Sequence, residues 1–147
     1  MNCDCCKQKS DHGSAPYVTN VEQMAGRNNN FRAAIWTGEN LQMTLMCIPP
    51  CAEIGLEIHE DTDQIIRVER GNALVKIGQC RCSLDAQKRL YQGDAVFVPA
   101  GTWHNIINTG RCSLRVSSVY APPKHQRGTV HQTKEEAEKE EKSGKYL

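Results

Sequence analysis

The chain has 147 residues, with 18 Lys+Arg against 17 Asp+Glu and a formal charge of +1. That is one domain's worth of length. The even balance gives no electrostatic case for nucleic acid or an anionic membrane surface, and no apolar run is long enough to cross a bilayer as a helix.

Residues 1–15 are polar, Cys-rich and patternless, and are expected to form a flexible tail. No apolar stretch follows Met1–Lys7, so no secretory signal is expected and the cytoplasm is the expected location. The eight cysteines are then expected to be reduced rather than paired. Cys3/Cys5/Cys6 and Cys80/Cys82 could bind a soft metal, but neither has the paired C-x-x-C spacing of a zinc ribbon. The plainer reading is a tail and an exposed loop.

A short helical turn is expected near Val21–Met24, with Asn20 as its N-cap. From Phe31 the pattern alternates: Phe31, Ala33 and Ile35 interleave with Arg32, Ala34 and Trp36. A second alternating run, Leu41–Ile48, stops at Pro49-Pro50. Strand-like pieces follow at Leu56–His59, Gln64–Glu69, Ala73–Ile77, Arg89–Gln92, Ala95–Val98, Asn105–Ile107 and Leu114–Tyr120, separated by turns such as Arg70-Gly71-Asn72 and Pro99-Ala100-Gly101. Many short strands with no helical stripe between them predict an all-β sandwich or barrel. The main domain is expected over residues 16–123, ending at Pro122-Pro123. Residues 124–147 form a polar segment with a helix from about Lys134 to Lys142, capped by Thr133 with Glu136 three residues on. Ala137 is its single apolar residue, so little burial is expected.

Four side chains carry the chemistry: Glu57, His59, Gln64 and His104. Residues two apart in a strand share a face, so Glu57 and His59 project together. Gln64 has the parity of Ile66 and Val68, which puts it on the inward face. His104 follows the Pro99–Gly101 turn. The four are expected to converge only if the sheet closes on itself.

These residues bring out a resemblance to the cupin superfamily. Gly93, Pro99, Gly101, His104 and Asn108 fall at every spacing of the second cupin motif, G(X)5PXG(X)2H(X)3N. The first motif, G(X)5HXH(X)3-4E(X)6G, is altered. Glu57 stands at its first His, His59 at its second, Gln64 at its Glu, and Gly71 at its final Gly, while the leading glycine is displaced. The resemblance covers about Leu41 to Tyr120. It implies a small antiparallel β-barrel of jelly-roll (double-stranded β-helix) type, one divalent metal ion and a homodimer. The whole chain also looks like the small single-domain cupins named phosphomannose-isomerase-like.

On that resemblance the expected metal ligands are Glu57, His59, Gln64 and His104. Two imidazoles and one carboxylate also match the facial ligand set of non-haem iron. Zn, Fe(II) and Mn(II) all suit the donors. The plainer alternative is that the two histidines are only hydrogen-bonded in a polar barrel mouth, with Gln64 bridging them. Gln64 can also serve beside the ion, orienting His59 or a water. The expected function is a metal-dependent enzyme acting on a small polar, sugar-like substrate in the manner of an isomerase. An Fe(II) dioxygenase is the rival enzyme, and a non-catalytic cupin binding a small ligand or metal is the rival class. Tyr120, His125 and His131 could reach the mouth as acid/base groups; the plainer expectation is exposed polar residues of a terminal segment folded over the barrel. Trp36 and Trp103 read as packing. Arg67 points outward by parity, which counts against a phosphorylated substrate in the barrel.

Overall fold

Strand pairing converts the alternating runs into two facing antiparallel sheets. The computed structural model describes residues 11–142. In chain order these form α1 (Val21–Arg27), β1 (Arg32–Thr37), β2 (Gln42–Ile48), β3 (Asp63–Arg70), β4 (Ala73–Gly78), β5 (Ala86–Leu90), β6 (Ala95–Val98), β7 (Trp103–Asn108), β8 (Leu114–Ala121), β9 (Val130–His131) and α2 (Lys134–Lys142). The large sheet has the order β6-β3-β8-β2-β1-β9 and the small one β5-β4-β7. The piece expected as a strand at Leu56–His59 instead touches β7 through isolated bridges, Glu53 to Ile107 and Glu57 to His104. The strand expected at Arg89–Gln92 begins earlier and ends at Leu90.

The fold is a jelly-roll of two sheets. Among the described residues the sheets do not join into one closed hydrogen-bonded ring. Glu57, His59 and His104 come together without such closure.

Register arranges the interior in layers. Gln42 and Gln64 both pair with Tyr120, and Thr44 and Ile66 both pair with Ser118. Met46 and Val68 both pair with Val116, and Ile48 pairs with Leu114. Directly paired residues share a face. One end of the interior is thus polar and the other apolar. The apolar layers pack on Val75 and Ile106 of the small sheet to form the main core.

On the outer face, α1 lays Ala25 against Ile35 and Leu45 as a second small core. Asn20 caps this helix by accepting from the Gln23 N–H at 2.9 Å. The C-terminal helix begins as expected, with Thr133 Oγ1 accepting from the Glu136 N–H at 3.3 Å. Its return contact is one residue off the expected box: the Glu136 carboxylate accepts from the Gln132 N–H at 2.8 Å. Ala137 is buried within the main core, so this charged helix is docked rather than free on the surface.

Of the expected flexible tail over 1–15, residues 1–10 lie outside the described residues. Asp11 is buried, bonding Thr37 Oγ1 at 2.6 Å and the Gly128 N–H at 2.9 Å. The His12 N–H donates to the Ile35 carbonyl at 2.8 Å.

Candidate metal centre

The second motif divides its labour between backbone and chemistry. Gly93 and Gly101 take positive φ, 90° and 78°, a conformation that favours glycine. Asn108 is a clamp. Its Nδ2 lies 3.0 Å from the Ile48 carbonyl, 3.1 Å from that of Pro49 and 2.9 Å from that of Cys112. Its Oδ1 accepts from the Gly110 N–H at 2.9 Å.

His104 is held for ligation. Its Nδ1 lies 3.0 Å from the Thr102 carbonyl, a contact that makes Nδ1 the protonated nitrogen. That leaves a lone pair on Nε2, which is buried without a hydrogen-bond partner. The Glu57 backbone pairs with that of His104 through two hydrogen bonds of 3.0 Å, so Glu57 and His104 sit side by side. The Gly101 N–H donates to the His59 carbonyl at 2.8 Å, tying the His59 loop to the turn that precedes His104.

The side chains meet accordingly. The His59 and His104 ring centroids are 5.4 Å apart. His59 Nε2 lies 3.4 Å from Glu57 Oε2, outside hydrogen-bond geometry, and neither ring nitrogen of His59 has a hydrogen-bond partner. Donor atoms of Glu57, His59 and His104 all fall within 4.8 Å of one another. Bonds of about 2.0–2.2 Å to a single ion would gather them after sub-ångström side-chain adjustment.

Gln64 faces the same interior from β3, as parity predicted. Its Nε2 approaches Ser118 Oγ at 3.4 Å, and its Oε1 is buried with no partner. Gln42, one strand beyond Tyr120 in the same layer, is fully engaged. It donates to the His125 carbonyl at 2.9 Å and accepts from the His125 N–H at 2.9 Å. The contrast leaves Gln64 with an unengaged buried oxygen.

Electrostatics follow from burial. Loss of water pushes the Glu57 carboxyl up, with Arg32 and His104 opposing. Burial, then His104, Lys124 and Arg32, hold His59 down at about 3, so its imidazole is neutral and able to ligate. Burial pushes the Tyr120 hydroxyl up to about 12. Its ring stands edge-on to His59 at 5.7 Å and to His125 at 5.1 Å.

His125 and His131 are buried, not exposed as the sequence suggested. His131 Nε2 lies 2.6 Å from Glu140 Oε2, joining β9 to α2. Burial and Arg32 hold His125 down at about 2. Arg67 is outward, 3.8 Å from Glu69, and Arg70 pairs with Glu22 at 3.3 Å. Trp36 donates from Nε1 to the Ala15 carbonyl at 2.8 Å. Trp103 lines the mouth beside Glu57, His59 and Lys124, a cavity of about 300 Å³. Cys80 and Cys82 are exposed with Sγ atoms 2.8 Å apart, and Cys3, Cys5 and Cys6 lie outside the described residues.

Sequence reasoning gave no role to Arg32. It is 2% exposed, and its charge acts on Glu57, His59, Tyr120 and His125. The available signal was an arginine inside an otherwise apolar run.

A profile of the cupin domain matches residues 44–120, and the chain belongs to that family. It is 48% identical over 127 residues to the uncharacterized protein YrkC of Bacillus subtilis, a match covering 86% of this chain and 68% of that protein. It is also similar to the crystal structure of BH2720 from Bacillus halodurans, at 48% identity and a TM-score of 0.88, covering 88% of this chain and 98% of the other. A more distant likeness is to KdgF from Halomonas sp., at 25% identity and a TM-score of 0.56, covering 63% and 80% of the two chains. The cupin resemblance is thus upheld. The narrower likeness to phosphomannose-isomerase-like cupins gains no support from these relatives.

Proposed function

We propose that this cupin is a mononuclear metal-dependent enzyme acting on a small polar substrate. The observation that carries the reading is the meeting of Glu57, His59 and His104, with unpartnered imidazole nitrogens inside a buried site. A buried donor left without a partner is costly, and a cation would satisfy several at once. Glu57, His59 and His104 would hold the ion, with Gln64 Oε1 as a fourth donor or as a support beside it. Zn, Fe(II) and Mn(II) all suit these donors. The bound ion would supply Lewis acidity toward a substrate carbonyl or hydroxyl.

The chain's own residues supply the rest. Thr102 fixes the His104 tautomer. Tyr120, which keeps its proton at neutral pH, can donate a hydrogen bond beside His59. Trp103 and His125 wall the mouth. Isomerase-like chemistry on a sugar-like substrate fits such a site. A second reading, an Fe(II) dioxygenase, is favoured by one specific feature: the trio is two histidines and one carboxylate. A non-catalytic binding cupin remains the third outcome of the test. The homodimer implied by the resemblance is supported by an outward row of apolar residues, Ile65 between Phe97 and Val119, with Phe97 71% exposed.

The test is metal content of untagged protein purified without oxygen, followed by turnover assays. Zinc or manganese with aldose–ketose conversion supports the isomerase. Iron with substrate-dependent oxygen uptake supports the dioxygenase. Tight ligand binding without turnover leaves the binding module. Protein that retains none of the three metals when they are supplied overturns the reading. Analytical ultracentrifugation of native and Phe97→Glu protein tests the dimer.

A further inference from the structure

Arg32 opens β1, and its side chain is almost wholly buried, at 2% exposure. Its Nε and Nη1 have no hydrogen-bond partner. None of the ion pairs among the described residues includes it. Its one stacking neighbour is the Phe31 ring, with the guanidinium 5.6 Å from the centroid, which replaces only part of the lost hydration. A buried cation in this condition is expensive to keep.

Arg32 lines a cavity of about 360 Å³ whose other charged residues are Arg81, Lys134, Glu53, Glu57, Glu138 and Glu141. Glu57 is shared with the neighbouring mouth that holds His59 and His125. The two recesses thus adjoin at the candidate metal ligand. Arg32 acts on the Glu57 carboxylate, and ligating an ion would engage that carboxylate elsewhere. At the mouth, Lys124 and Glu141 act on Glu57 with opposite signs. The net charge of that lining does not itself favour an anion; the buried guanidinium with its unpartnered nitrogens does.

We propose that Arg32 is an oxyanion-binding residue, and that the ligand of this site carries a carboxylate or phosphoryl group bonded to the Arg32 guanidinium while its neutral oxygens face Glu57, His59 and His104. The second half of this statement rests on the metal reading above; the first does not. Arginine suits the task because its planar, permanently charged fork matches both oxyanions. The outward Arg67 and Arg70 are not needed, so the parity argument against a charged substrate in the interior does not hold.

The test uses three probes with one hydroxylated skeleton: lactate, 2-hydroxypropyl phosphate and neutral propane-1,2-diol. Each is titrated calorimetrically into zinc-loaded and metal-free full-length protein. At least one of the two anions is expected to bind more tightly than the diol, and the tighter anion identifies the oxyanion preferred. Arg32→Gln should weaken that anion about tenfold to a hundredfold. Arg32→Met, which removes the buried charge and keeps much of the volume, should lose the same binding and melt within a few degrees of the native protein. Anion-selective, Arg32-dependent binding in metal-free protein supports the oxyanion role even where zinc fails to bind, which separates it from failure of the metal reading. Equal affinity for the diol and both anions, unchanged anion affinity in Arg32→Gln, or a large drop in the melting temperature of Arg32→Met, marking a structural cation, would each overturn it.

Discussion

Removing one donor of the trio tests the metal centre through stability rather than catalysis. Metal that binds only the folded chain adds RT ln(1 + [M]/Kd), about 2.7 kcal/mol at a hundredfold excess over Kd. In a domain near 150 residues each kcal/mol moves Tm by about 2–4 °C. Native protein at that metal concentration should therefore melt about 5–11 °C above chelator-treated protein. His104→Ala deletes the imidazole whose Nδ1 lies 3.0 Å from the Thr102 carbonyl and whose Nε2 is free to ligate. If two donors remain and affinity falls about a hundredfold, the same metal concentration only matches the new Kd. The gain then shrinks to about 0.4 kcal/mol, or roughly 1–2 °C. The variant also loses packing in the ion-free state, so the quantity compared is the metal-induced increment within each protein, not absolute Tm. Scanning calorimetry with chelator, zinc, manganese and anaerobic iron(II) reads it. An increment in His104→Ala equal to the native one, or none in the native protein with any of the three ions, would refute the reasoning.

Three further outcomes follow from particular contacts. Asn108→Ala releases the carbonyls of Ile48, Pro49 and Cys112 together; urea unfolding should show a loss of about 2–4 kcal/mol, and a loss under 1 kcal/mol would count against the clamp. Burial alone would raise the Asp11 carboxyl, but hydrogen bonds from Thr37, Gly128 and Gly13 hold it below its ordinary 3.8. Its stabilisation is therefore fully present above the unfolded value and is lost as pH falls through the lower folded one. Asp11→Asn should remove that component, so Tm should decline less steeply than in native protein as pH falls below about 4; parallel declines would contradict this. Ala137→Glu keeps helix propensity high but drives a charge into the main core. It should cost about 1–3 kcal/mol in urea unfolding, and an unchanged midpoint would mean that α2 does not dock.

Local signals carried much of the fold and of the site. The spacing from Gly93 to Asn108 identified His104, and β3 parity put Gln64 inward and Arg67 outward, as the structure has them. Parity has a limit, however: it says which residues share a face, not which face is inside. In β1 both faces are buried, one between the sheets and one beneath α1, so alternation could not single out Arg32. The burial of His125 was invisible for another reason. It depends on Gln42, 83 positions away in sequence, and no local window contains that contact. Similarly, Asp11 is held by Gly128, 117 positions on. Convergence needs no closed ring: the connection between β2 and β3 carries Glu57 and His59 to His104 on β7.

The unmet polar atoms gather at one end of the interior. Isolated packing flaws should scatter through a core, since each costs stability wherever it falls. Here Thr44 Oγ1 and Gln64 Oε1 belong to adjacent polar layers, and the unpartnered nitrogens of His59 and His104 face each other across the same space. Arg32 bears on His59 and Tyr120 from β1. The residues of the apolar layers, Met46, Ile48, Val68, Leu114 and Val116, are each 0–1% exposed, and their burial offsets the cost of the polar end. Such a division is stable only because one half is an ordinary core. The polar half can hold a cation among Glu57, His59 and His104, and the oxyanion proposal adds an anion beside Arg32.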